Sequence, residues 1–430
     1  MAHTTNFKLI IGVVFGVFLL LGVLTLVIAP GSSSSVRGNV VLWGTVEERT
    51  MKLVLDPLKT NTLTVTYVEK YESTYQDELV EAFAAGNGPD VFLMSEDMIM
   101  RFGNKVMNIP SETISERSFR DTFIEEGELY LSDAGLIALP VFVDPMVLYW
   151  NRDSFSSVGV VNPPASWSEL LAMVPKFATY SDKGEIIKPA VALGEFANID
   201  HAKDILALLF LQTGSGVTQK TDAGLALDFR DDAAESVLRF YTEFAKPGKD
   251  IYTWNRSFAS SREEFVAGDL PMYFGYASEL ALVRERNPHL NIDVVAMPRL
   301  SDGGRAATYG AMTGVAVAKS AKNPSGALYV LAGLSSPESM EMFASELGVV
   351  PTRKSLLSGT SEDPYVSVFE ASALMAKGWL DPESELSYTI FKETTESITG
   401  GKARLSEAVY TMKEEMKQLI KTEGFGSGIY

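Results

Sequence analysis

The stretch "STYQDELVEAFAAGNGPDVFLM", residues 73–94, decides how the fold reads. Its first half puts Tyr75, Leu79, Val80 and Phe83 at helical spacing, so one face is apolar. Gly86 stands where helices commonly end in a left-handed residue. The run "DVFLM" then suits a short buried strand. Working outward, "TLTVTYV" alternates strictly, "VEERTMKLVLDPLKT" is helical with Pro57 near its end, and "NVVLWG" is strand-like. This β-α-β-α-β order predicts a parallel sheet with right-handed crossovers. Gly-Asn-Gly-Pro is then a structural stop, with Asp90 expected to cap the turn. Open α/β sheets take ligands beyond the carboxyl ends of their strands. The candidate positions are therefore Gly44–Glu48 and Ser95–Met98, not the stop itself.

The rest of the chain continues in α/β style. "PPASWSELLAMVPKF" opens a helix with a capping box, Ser166 and Glu169. "LPMYFGYASEL" reads as strand, glycine turn and helix start, "IDVVAMP" and "AMTGVAVAK" as strands, and the last 25 residues before Phe425 as an amphipathic helix. With 430 residues there is room for two cores. A net charge of −18 argues against a nucleic-acid partner, which needs basic patches. No cysteine and only His3, His201 and His289 leave no thiol chemistry and little basis for a metal site. Neither GxGxxG nor GxxxxGK[ST] occurs, and "TGSGVT" has no GxSxG elbow, so no catalytic residues and no cofactor are expected.

At the N-terminus, residues 9–30 carry no charge and only Thr25 is polar. About 21 helical residues at ~1.5 Å each reach ~31 Å, close to the ~30 Å hydrocarbon core of a bilayer. A transmembrane anchor is expected, with a cleaved signal peptide or a buried helix as alternatives. Lys8 and the amino group precede it, so residues 1–8 are expected to be cytoplasmic and the remainder to lie outside the membrane. "GSSSSVRG", residues 31–38, reads as a tether.

Taken in order, "VVLWGT", "LVEAFAAGNGPDVFLM", "GLIALPVFVDPMVLYWNRDSF", "PPASWSEL", "FVAGDLPMYFGYASEL", "VVAMPRL", "TYGAMTGVAVAK" and "GVVPTRKSL" resemble the extracellular solute-binding proteins of bacterial ABC importers, the maltose-binding-like family. The resemblance implies a two-lobe, periplasmic-binding-protein-like α/β fold of type II, closing on a ligand in the cleft between lobes. Crossings are implied near Val143–Asp144, Tyr309–Ala311 and Leu356–Gly359. Lobe 1 would be 39–143 plus 311–356, and lobe 2 144–310 plus 357–430. The implied partners are a small solute, a carbohydrate first, and ABC permease subunits, with the receptor a monomer. A peptide, polyamine or other organic solute is the alternative cargo.

Carbohydrate recognition needs aromatic platforms and hydroxyl-binding carboxylates or amides. Trp43 suits either a cleft platform or the core, and Thr45 and Glu47 either a cleft edge or a solvated helix start. Resemblance adds Asp97, Asp144 (cleft or hinge), Glu195, Tyr276 as the foremost platform, and Tyr388. Met94 and Met98 stand where sugar-binding relatives can carry a tryptophan and an arginine, and Ala197 replaces an aromatic. Asn198 offers an amide or a turn cap, Tyr309 faces cleft or hinge, and Trp254 and Trp379 lie in polar surroundings that suit a cleft or rim.

Overall fold

Apolar strands and one-sided helices settle into a single nine-stranded sheet among the residues described by the computed structural model, 36–300, 306–357 and 361–423. Strand β1 (Gly38–Gly44) is followed by α1 (Glu48–Leu55), β2 (Leu63–Glu69), α2 (Glu72–Ala84) and β3 (Val91–Ser95). Both β2 and β3 pair with β1 in parallel, as alternation and crossover handedness require. Gly86 ends α2 at φ 70°, a conformation that costs glycine little. Of the expected apolar face of α2, Tyr75 and Leu79 are buried but Val80 is exposed.

Asp90 departs from its expected part. Rather than capping its own turn, its carboxylate accepts from the amides of Val41 (2.9 Å), Lys322 (2.6 Å) and Asn323 (3.1 Å). It thereby ties the third strand's entry to β1 and to a helix far along the chain. At the second helix start foreseen, Ser166 Oγ accepts from the Glu169 amide. The Glu169 carboxylate reaches one residue further back, to the amide of Ala165.

Strand β4 (Leu139–Asn151) runs through the whole sheet. After it come helix α3 (Ala202–Gln212), β5 (Met272–Tyr276), α4 (Glu279–Arg286), β6 (Ile292–Ala296) and β7 (Thr308–Val317). The leading half of β4 pairs with β7, Val143 opposite Met312, and its trailing half with β5 and β6, Leu148 opposite Phe274 and Val295. The main path is β5-β4-β7-β3-β1-β2. Short strands β8 (Val350–Pro351) and β9 (Ala376–Lys377) add to β4 and β7. Two of the implied crossings, Val143–Asp144 and Tyr309–Ala311, lie within β4 and β7. The third runs into residues 358–360, outside the described ones.

Two apolar clusters flank these long strands. One gathers Val40, Leu42, Met51, Leu331, Leu334 and Phe343 around β1. The other is larger, runs from Phe92 and Met94 through Tyr149 and Trp150, and takes in most of α3. The N-terminal span 9–30 and most of the tether lie outside the described residues. Among the described residues, no helix is long and apolar enough to cross a membrane.

Candidate ligand-binding site

Polar side chains gather at the carboxyl ends of β1, β3 and β5. From the β1–β3 side, Trp43 is half-buried with the Lys70 ammonium 3.9 Å from its ring centroid. Thr45 is half-buried and Glu47 exposed at the start of α1. The short turn after β3 carries Glu96 and Asp97. Asp97 accepts from Ser95 Oγ and from Gln76 Nε2, the latter at 3.1 Å. Glu96 is buried, accepting from the Met312 amide (2.9 Å) and from the Tyr309 hydroxyl (3.3 Å). Burial, then the charges of Asp97 and Glu126, push its carboxyl well above the usual range.

The facing side is a denser network. Glu279, at the start of α4, accepts from His201 Nε2 (2.6 Å), Arg262 Nε (2.8 Å), Tyr273 (2.6 Å) and the Tyr276 amide (2.9 Å). Burial would raise its pKa, but the hydrogen bond and charge of His201, with Tyr273 and the amide, bring it down to about 2. Tyr276 is half-buried, its hydroxyl donating to Asp204 (2.8 Å) and its ring edge-on to His201. Burial raises the Asp204 pKa, against the charges of His201 and Lys203. Lys203 is itself committed to Asp381 at 2.5 Å. Asp97 lies within electrostatic reach of Lys203, Asp204 and Asp381, so the two sides share one space.

A hollow of about 410 Å³ opens beside this network, lined among others by Asn198, His201, Lys203, Asp204, Ser384 and Tyr388. Tyr388 is 45% exposed, packed edge-on against Phe196. At the crossing, Asp144 accepts from the Ser278 amide, and burial lifts its carboxyl to about 7. Tyr309 is buried against Glu96. Glu195 is buried and paired with Arg256 at 2.8 Å.

Some expected residues turn away. Trp254 is 0% exposed, stacked on Phe258, and donates to Asn198 Oδ1 at 3.1 Å, so it offers no face to a ligand. The Asn198 amide nitrogen is spent on the carbonyls of Asn255 and Phe258. Trp379 is 2% exposed, lies under the Lys203 ammonium, and lines a different crevice, of about 900 Å³. That larger crevice reaches none of Trp43, Asp97 or Tyr276. Conversely, His201, Lys203, Asp204, Glu279 and Asp381 stand in the site without having been singled out, while Glu96 falls within the expected Ser95–Met98. The pattern "HAKDILALLFLQ" held the signal, since charged residues opening so apolar a helix are drawn inward, Lys203 buried and His201 and Asp204 half-buried.

The family model for the bacterial extracellular solute-binding protein matches residues 58–367. The chain belongs to that family. It is a family of binding proteins, not of enzymes. A protein of Brucella abortus (strain 2308) named as a binding protein is 23% identical over 360 residues, 80% of each chain. Among solved structures, the sugar-binding protein MalE of Xanthomonas citri aligns at TM-score 0.74 and 20% identity, covering 90% of this chain and 98% of its own. The cyclic alpha-maltosyl-1,6-maltose binding protein of Arthrobacter globiformis aligns at 0.73 and 14%, covering 90% and 100%. At such identities the likeness establishes the periplasmic-binding-protein-like α/β fold.

Proposed function

We propose that this solute-binding protein captures a carbohydrate between two lobes and hands it to ABC permease subunits, held at the membrane by residues 9–30. The lobes are taken as 39–143 plus 311–356 and 144–310 plus 357–430. The observation that carries the reading is Tyr276, half-buried, with its amide bonded to Glu279, its hydroxyl to Asp204 and its ring against His201, within electrostatic reach of Glu96 beyond β3. Its flat face suits sugar C–H groups, while Asp97, Asp144 and Asp204 suit hydroxyls. Structural neighbours named for maltodextrin-type ligands support the same class. Closure follows if the solute prefers the state in which it touches both lobes.

A cationic solute is the second reading, favoured because Glu96, Asp97, Asp144 and Asp204 share the site with two lysines that are already paired, Lys203 with Asp381 and Lys70 with Glu78. Calorimetry with an oligosaccharide panel and a polyamine panel separates the two. Saturable binding of an oligosaccharide, weakened in Tyr276→Ala, supports the proposal. Binding confined to polyamines replaces the carbohydrate reading.

A further inference from the structure

Away from Tyr276, the 900 Å³ crevice runs between residues 110–136 on one side and residues 216–220 and 377–380 on the other. Several charged groups on its rim have partners: Lys377 pairs with Glu125, Arg120 with Glu116 and Glu128, and Lys220 donates to the Leu131 carbonyl. Glu126 breaks this pattern. It is 2% exposed on the six-residue 3-10 helix Glu125–Tyr130, and neither carboxylate oxygen has a hydrogen-bond partner among the described residues.

What seats Glu126 comes from the crossing strand β7 and from the segment just past β9, which belongs to the opposite lobe. A Cβ on Gly310 of β7 would overlap Oε2, and one on Gly378, just past β9, would stand 2.9 Å from Oε1. Two glycines thus make room for a carboxyl group while offering it no donor. The titratable and charged groups facing it are Glu96 beyond Gly378, the phenols of Tyr130 and Tyr309, and Lys377. Glu96 opposes a second negative charge, and Lys377 is occupied by Glu125. A carboxylate left bare in such a place costs far more than the neutral acid. Burial accordingly pushes this carboxyl well above the usual range, with Lys377 pulling weakly the other way.

We propose that Glu126 is a proton-binding site coupling the seating of the two lobes to pH: a neutral carboxylic acid when seated as here, a carboxylate that has released its proton to water when the lobes part. The inference rests on the two-lobe reading above but not on any particular solute. The seated state binds the extra proton, so raising pH favours the parted state. The effect is confined between the ordinary glutamate pKa, about 4.3, and the raised seated value. Within that window the seated-to-parted ratio falls about tenfold per pH unit.

The absence of cysteine makes the test direct. Fluorophores on Tyr71→Cys and Ala259→Cys, both exposed positions, report lobe separation in the full-length chain without added solute. The parent is expected to shift toward longer separation as pH rises from 4 to 9, and Glu126→Gln, equal in shape but unable to ionise, to stay seated and flat. Gly378→Ala, which crowds the cradle, should move the parent's midpoint to lower pH. A parent insensitive to pH overturns the proposal, as does a Glu126→Gln curve that follows the parent. Should Glu126→Gln fail to fold, an unmoved midpoint in Gly378→Ala overturns it equally. Failure of the oligosaccharide panel would remove the carbohydrate reading and leave this result standing.

Discussion

The β1–β3 side of the site and the β5–α4 side face the same space but are built differently. On the first, apart from Glu96 and its bonds to Tyr309 and Met312, contacts are few: Lys70 over Trp43, Ser95 and Gln76 on Asp97, Glu47 in solvent. On the second, Glu279 gathers His201, Arg262, Tyr273 and the Tyr276 amide, and Asp204 fixes the Tyr276 hydroxyl. Ordering a binding surface in advance removes that cost from the binding step. On the proposed reading the difference is a division of labour: the β5–α4 side is a preset platform, and the β1–β3 side is left to adapt to the solute.

Breaking the platform should therefore cost most. Glu279→Ala leaves His201 and Arg262 half-buried without their shared anion, though Arg262 keeps Asp200, and is expected to lower stability by about 2–3 kcal/mol, read by urea unfolding. Asp97→Ala, on the adaptable side, should stay within about 1 kcal/mol in the same assay. Equal losses would erase the contrast. Next, Tyr276→Ala should weaken binding of the best oligosaccharide about tenfold, ~1.4 kcal/mol, by calorimetry. Tyr276→Phe, which loses only the bond to Asp204, should cost about 1 kcal/mol or less.

Acidity sharpens the comparison further. Glu279, held at about 2, contributes stability that is present above the unfolded value near 4.3 and is lost as pH falls toward 2. Asp144, lifted to about 7, acts in the opposite sense: it binds its proton in the folded chain, so its contribution is full below about 4 and is lost as pH rises toward 7. Asp144→Asn should flatten the second slope and leave the first. The smallest effect is expected at Trp43, where Lys70→Met frees the ring face and should change affinity by less than about 1 kcal/mol.

Local patterns carried the first half of the fold. Alternation in "TLTVTYV" and the stop at Gly86 follow from neighbours in sequence and are in place, and the helical face of α2 holds at Tyr75 and Leu79 but not at Val80. Strand β4 was less legible, since Pro140 and Pro145 punctuate a strand that nonetheless runs for 13 residues. The reading failed where tertiary partners decide. Polar neighbours in "YTWNRS" gave no sign that Trp254 folds inward onto Phe258 and Asn198. Asp90 finds its donors at Val41, Lys322 and Asn323, and Glu126 meets glycines far away in sequence at 310 and 378. In the site, Tyr276 was visible as an aromatic after a strand. Its supports, His201, Asp204 and Glu279, become visible only when α3 and α4 are placed beside it.

Hydrogen exchange with and without the tightest oligosaccharide tests the central claim most directly. A guest gripped from two sides should slow exchange together in residues 43–48 and 95–98 and in residues 201–204 and 276–279, with both effects lost in Tyr276→Ala. Slowing confined to one of those sides, or spread along the chain without focus there, would contradict a solute held across the cleft.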